Sequence, residues 1–283
     1  MKSILFPTDF SENAAHAAHF AVMLAKKIKA KIILLNIYGI PVITSDQLAY
    51  DATTLIEDEK HVAWEQFNEF KEKFIKETGF EGENIEACVK YGFPSEGILS
   101  TAADYKADFI VMGTKGASNI IDQFLGTNSY RVAHHSDCPV LIVPEKASLK
   151  PWENMLYAAD FESDEIAGTH SVVDFSRLFK SKITVLHIRE EYEPAIVDPA
   201  DVIEWMREEF EGENVTFKNL NRSNVIQGLE TYLKTHPTDL LILANQERGF
   251  FEELFHKSVT KHFIQASNLP ILIVRKKQQI FMD

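Results

Sequence analysis

Apolar residues fall in short blocks along this chain, separated by longer stretches in which apolar and polar positions mix. Residues 2–6, Lys31 to Ile37, Asp108 to Met112 and Pro139 to Val143 are the densest blocks, and short runs apolar at every position are the mark of strands covered on both faces of a parallel sheet. After the first block the turn Pro7-Thr8-Asp9-Phe10 leads to Ser11 and Glu12, which open an alanine-rich helix running to about Lys27 with Ser11 as its N-cap. Residues 45–78 are polar and helical in composition. Leu48, Leu55, Val62, Trp64, Phe67, Phe70 and Phe74 mark a discontinuous apolar face that one long helix or two shorter ones would satisfy. Ile85 to Lys90 alternates like a strand nearer an edge, Pro94 to Ala103 starts a helix with proline in its first turn, and Thr127 to His135 is a further helix. The resulting order, β-α-β-α-β-α-β-α-β, predicts a parallel sheet with right-handed crossovers.

The same order then runs a second time. A polar segment with a proline at each end, PEKASLKP at 144–151, reads as a linker, and MLYAADFESDEIA at 155–167 answers ILFPTDFSENAA at 4–15. ITVLHI answers IILLNI, TDLLILA answers ADFIVMG, and LPILIV answers CPVLIV. Asp9 to Asp160 and Asn36 to His187 are each 151 positions apart, whereas Asp108 to Asp239 and Pro139 to Pro270 are 131 apart. The second repeat is therefore shorter by 20 residues, lost between its second and fourth strands, where Pro199 to Glu209 stands in place of the long 45–78 segment. The expected fold class is α/β: two tandem doubly wound five-stranded parallel sheets of order 3-2-1-4-5, Rossmann-like, over 1–144 and 152–283 with 145–151 between them.

Composition narrows the function classes. Over 283 residues, 29 Lys+Arg against 42 Asp+Glu leave a net charge of −13, which disfavours nucleic acid and anionic membrane as partners. Cys88 and Cys138 sit among strand-like apolar residues and read as buried reduced thiols. MKSILFPTDF is too short for the core of a signal peptide, and no apolar run approaches about 18 residues. A cytoplasmic setting is expected.

In a sheet of this order ligands bind at the carboxyl ends of strands one and four, where the winding reverses. Those ends are Pro7-Thr8-Asp9-Phe10 and Met112-Gly113-Thr114-Lys115-Gly116. Beyond Gly113 the glycines recur as G-x2-G-x9-G-T: Gly113, Gly116, Gly126 and Thr127. Glycines allow positive φ and close approach of backbone N–H groups, and the following helix start adds a partial positive charge, a combination suited to phosphate. Asp9 can accept hydrogen bonds from a ribose or an adenine amino group, Gly126, Thr127, Asn128 and Ser129 offer N–H and hydroxyl donors, and Lys115 can add a charge-assisted contact.

These residues resemble the universal stress proteins, in a tandem two-domain form. The family's signature, G-x2-G-x9-G-[S/T], is met by Gly113, Gly116, Gly126 and Thr127 and preceded by Met112; its aspartate after strand one corresponds to Asp9 and the apolar residue ending strand two to Ile37. The resemblance implies ATP, with adenine near Thr8, Asp9 and Ile37, and with Pro7, Phe10 and Met112 counted among the nucleotide-binding residues. It places the phosphates near Gly113, Thr114, Lys115, Gly116, Gly126, Thr127, Asn128 and Ser129, accompanied by a divalent metal such as Mg2+. It also implies that the two halves pair as an intramolecular pseudo-dimer through their fifth strands, Pro139 to Val143 and Pro270 to Val274; further association into a homodimer is allowed.

The second repeat departs from the signature. Ala244, Glu247 and Lys257 replace the three glycines and Ser258 the threonine, so a carboxylate stands where phosphate would lie, and the expectation is that this half holds no triphosphate. No catalytic residue is assigned and turnover of ATP should be weak at most, because the signature supplies binding groups without a positioned base. The expected function is an ATP-binding stress-response and regulatory protein. Two alternatives stay open: a slow ATP hydrolase or phosphotransferase using Asp9 or a residue of 45–78, and a scaffold or sensor binding another small ligand in the second domain.

Overall fold

The structure, a computed structural model, describes residues 1–39, 52–114, 127–159, 165–190, 199–245, 259–275 and 280. By their contacts they divide into two compact units, Met1–Ser136 and Asp137–Asp283. The first contains β1 (Ser3–Pro7), α1 (Glu12–Ile28), β2 (Lys31–Tyr38), α2 (Ala52–Thr78), a 3-10 turn at Gly82–Asn84, β3 (Ile85–Tyr91), α3 (Pro94–Asp104), β4 (Phe109–Gly113) and α4 (Thr127–His135). Its strands lie in the order β3-β2-β1-β4 and pair in parallel.

The second unit contains β5 (Val140–Val143), β6 (Asn154–Ala159), α5 (Glu165–Phe179), β7 (Lys182–Glu190), α6 (Pro199–Glu209), β8 (Val215–Arg222), α7 (Val225–Thr235), β9 (Leu240–Asn245) and β10 (Ile271–Arg275). Strands β8-β7-β6-β9-β10 follow the 3-2-1-4-5 order in parallel. β5, the fifth strand of the first repeat, lies within this unit and pairs antiparallel with β10, Leu141 opposite Leu272. An antiparallel strand there covers the hydrogen-bonding edge that a parallel sheet would otherwise leave open.

Local chemistry explains the elements that carry the crevice. α1 starts where Ser11 Oγ accepts the Ala14 N–H at 3.1 Å, and ends at Lys29, whose left-handed backbone (φ 54°) returns its N–H to Ala25 O. It buries Ala17, Phe20, Ala21 and Leu24 against the sheet, the i, i+3, i+4, i+7 spacing of one helical face. α2 is one helix of 27 residues. Its buried stripe is Ala63, Phe67, Phe70 and Phe74, whereas Val62, expected on the apolar face, is 47% exposed. Ala63 takes its place because the step from 63 to 67, 70 and 74 keeps one face, and 62 lies about 100° away from it. The Phe74 ring meets Phe6 of β1 at 5.9 Å.

Both units fasten strand one to the start of strand four in the same way. The Asp108 carboxylate accepts the Ser3 N–H at 2.7 Å while its own N–H donates to Ser3 O at 2.9 Å. In the second unit Asp239 accepts the Asn154 N–H at 2.8 Å and donates to Asn154 O at 2.8 Å. Asp239 also receives the Glu153 N–H at 3.0 Å and Lys150 Nζ at 2.5 Å, so the end of the segment read as a linker is bonded to the core of the second unit. Trp152, 1% exposed, packs on Phe179 at 4.8 Å, and its carbonyl accepts the Ser181 hydroxyl.

Neither cysteine is in a disulfide. Cys88 is buried, which pushes its thiol up, but Cys138 is only half-buried. Among the described residues no helix is long and apolar enough to cross a membrane.

Candidate functional site

The carboxyl ends of β1, β2 and β4 lie side by side on one edge of the parallel sheet. The β1 end is held by a chain of short bonds. Thr8 is buried, its N–H continues the ladder to Leu35 O at 2.8 Å, and its carbonyl accepts Asn36 Nδ2 at 2.9 Å. The Thr8 hydroxyl accepts the Phe10 N–H at 3.0 Å, and Asp9 Oδ1 accepts the Ser11 N–H at 3.2 Å, consecutive side-chain-to-backbone turns of the kind Thr and Asp make. Between them Phe10 is left-handed (φ 65°), uncommon for a residue with a Cβ, and its ring rests on Phe70 of α2 at 5.7 Å. The turn thus leaves the Asp9 carboxylate exposed at the strand end while its backbone is fixed. Pro7 and Phe10 are half-buried beside it.

On β2, Ile37 is half-buried just past Asn36, against α3. On β4, Met112 is buried, Gly113 ends the strand, and the buried Thr114 follows it. A Cβ on Gly113 would lie 2.7 Å from Asn13 Nδ2 and 3.1 Å from its Cγ, so the first turn of α1 rests directly on this glycine's backbone. Gly113 O in turn accepts the buried Ser129 hydroxyl at 2.8 Å, which draws the first turn of α4 to the end of β4. Asn128 is exposed in the same turn. The backbone of Thr127 opens α4. Lys115, Gly116 and Gly126 lie outside the described residues, as do Asp160, Glu247 and Lys257.

The strand end is stripped of side chain at Gly113, a carboxylate stands exposed at Asp9, an apolar wall is given by Ile37 and Met112, and a helix N-terminus is tied in by Ser129. Three contributors were not singled out from the sequence: Asn13, Asn36 and Gly97. Each acts through a tertiary contact, and a polar residue in a first helical turn or a strand has no periodicity to announce it.

A titratable cluster lies elsewhere, at the amino ends of β2 and β3. Lys31 Nζ meets Glu86 at 2.6 Å and, chiefly through that bond, holds its carboxyl below the usual range. Burial, then the bond to Glu86, pushes the Tyr105 hydroxyl up to about 12.

The second unit keeps part of this frame. His187 occupies the place of Asn36 and its Nδ1 lies 3.1 Å from Ala159 O, the counterpart of the bond to Thr8 O; since a carbonyl only accepts, Nδ1 carries the proton. Ala244 stands where Gly113 does.

The sequence model of the universal stress protein family matches residues 1–144, half of the chain. The chain belongs to the universal stress protein family. Universal stress protein YxiE of Bacillus subtilis is 32% identical over 150 residues, covering 50% of this chain and 97% of the relative. Universal stress protein MJ0577 of Methanocaldococcus jannaschii is 33% identical over 160 residues, covering 52% and 97%. These relatives are thus about one repeat long. A universal stress protein from Archaeoglobus fulgidus, known from its crystal structure, matches 96% of both chains with a TM-score of 0.72 at 20% identity, which shows the same α/β fold across both repeats. The chain is a two-repeat member of its family, with the strand order that its alternating blocks predicted.

Proposed function

We propose that the first repeat, 1–144, binds an adenine nucleotide, ATP, as a regulatory ligand, and that the chain is a cytoplasmic stress-response protein whose nucleotide occupancy biases its loops and partners. The observation that carries this reading is Gly113. Its missing Cβ is the space that Asn13 fills, it anchors Ser129 of α4, and it begins the spacing Gly113-x2-Gly116-x9-Gly126-Thr127. Pro7, Thr8, Asp9, Phe10, Ile37 and Met112 would hold the adenosine. Gly113, Thr114, Lys115, Gly116, Gly126, Thr127, Asn128 and Ser129 would hold the phosphates, with Mg2+ contributing charge neutralisation. The second repeat, 152–283, lacks the three glycines and takes no triphosphate in this reading. Binding rather than turnover is the activity proposed.

Calorimetric titration of the full chain with ATP tests this, with a stoichiometry of one expected. Asp9→Ala should weaken ATP about tenfold, the scale of one hydrogen bond to a charged group, with little change in melting temperature because the carboxylate is exposed. Two equivalents of bound triphosphate, or none, would remove the proposal.

A further inference from the structure

Gly97 lies inside α3, four positions into the helix, where glycine costs about 1 kcal/mol relative to alanine. A glycine in such a place calls for a reason in close packing. Its neighbour is Ile37: a Cβ on Gly97 would lie 2.5 Å from Ile37 Cδ1 and 3.3 Å from Cγ1, closer than carbon atoms pack. The first turn of α3 is linked to α4 by an exposed pair, Arg131 with Glu96 at 3.2 Å, and the atom a Cβ would strike first is Ile37 Cδ1, the end of a side chain that can turn away from the helix. Ile37 itself stands at the carboxyl end of β2, one residue beyond the Asn36 that bonds Thr8 O, and is half-buried, so part of it is left uncovered beside the end of β1.

We propose that Gly97 is a positioning residue for the base end of the nucleotide site: lacking a side chain, it lets Ile37 lie back against α3 and keeps the slot beside Thr8 and Asp9 wide enough for a purine. This deepens the reading of the first repeat as a nucleotide site and rests on it. The second unit supplies an internal control. Gly228 of α7 meets Ile188 of β7 in the same way, a Cβ there lying 3.0 Å from Ile188 Cγ2 and 3.2 Å from Cδ1, but beside a strand end that carries Ala244 instead of the motif glycine. The glycine–isoleucine contact is therefore shared architecture, and its consequence for nucleotide is confined to the first repeat.

The test uses the full chain, titrated calorimetrically with ATP and, as a probe without a base, inorganic triphosphate. Gly97→Ala is expected to weaken ATP about tenfold, the effect of one misplaced methyl group in an apolar slot, and to leave triphosphate affinity unchanged. Because Ile37 itself lines the site, the reference for rescue is Ile37→Val alone: adding Gly97→Ala to it, with the Cδ1 that the new methyl would strike already deleted, should cost no further ATP affinity; this double variant also serves if Gly97→Ala alone folds poorly. Gly228→Ala should lower the melting temperature without altering ATP affinity. Unchanged ATP affinity in Gly97→Ala, a parallel loss of both probes, or a further loss of ATP affinity when Gly97→Ala is added to Ile37→Val would each overturn the inference. A wild-type chain that binds no adenine nucleotide would remove the reading beneath it, and the inference with it.

Discussion

Gly113→Val is expected to abolish ATP binding in the micromolar range, a loss of about a hundredfold or more. A side chain at this position would meet Asn13 Nδ2 at 2.7 Å and, behind it, the Asn13 backbone oxygen at 3.4 Å. The amide could swing aside, but the backbone oxygen belongs to the first turn of α1 and moves only with the helix. Asn13 is buried, so the displaced amide has little room. Overpacking of this kind costs roughly 1–3 kcal/mol, and the upper end corresponds to about a hundredfold in Kd. The same shift would pull on Gly113 O and hence on Ser129 and the start of α4, so the phosphate end should suffer with the rest. Titration with ATP and with inorganic triphosphate reads both ends. Wild-type affinity for either ligand in the valine variant would mean that this strand end is not the nucleotide's seat.

The second large effect is on stability. Asp239→Asn should destabilise the second unit by roughly 2–3 kcal/mol, the cost of leaving a buried partner of a charged group unsatisfied. Both carboxylate oxygens are engaged: Oδ2 by the Glu153 and Asn154 N–H groups and Oδ1 by Lys150 Nζ. An amide has one acceptor oxygen, so whichever way it turns its NH2 faces a donor. Asp239 should also show in the pH dependence. Burial pushes its carboxyl up, but the Lys150 bond and the Asn154 N–H more than offset this and hold it below its ordinary value of 3.8. A group with a depressed folded pKa contributes stability that is fully present above the ordinary value and is lost as pH falls through the lower, folded one. Urea unfolding of the wild type should accordingly weaken below about pH 4, with that component missing in Asp239→Asn. Equal midpoints for the two proteins at pH 7 would refute this account of the carboxylate.

Much of this was legible in the sequence because buried parallel strands cannot hide. The blocks at 4–6, 32–37, 108–112 and 139–143 are apolar at every position but Asn36 and Asp108, and each is a strand or most of one. The duplication was legible for the same reason, since strands repeat and loops do not. Where the two repeats differ in detail, spacing was a poorer guide. Ile32 pairs with Ile85 and its counterpart Ile183 with Val215, so β8 follows β3 by 130 positions while Gly228 follows Gly97 by 131; the extra residue lengthens β8, which has eight residues to the seven of β3. At the site, Thr8, Asp9, Ile37 and Gly113 could be set at neighbouring strand ends from topology alone. Asn13 and Gly97 could not, because each is set by what lies opposite it. The available sign was a glycine recurring within the same helix of both repeats. Asp108 and Asp239 were similar: they aligned the repeats, but their shared bond to the first strand depends on a partner about a hundred residues away.

The antiparallel contact of β5 with β10 has a bearing on how the protein behaves when scarce. A strand that must cover a sheet edge is here part of the same polypeptide as the edge it covers, with Ile142, Leu141 and Val140 opposite Ile271, Leu272 and Ile273. Tethering replaces a bimolecular encounter by an effective concentration in the millimolar range or above. Dilution therefore cannot uncover that edge, and a cell holding only a few copies of this chain would have it closed in every one.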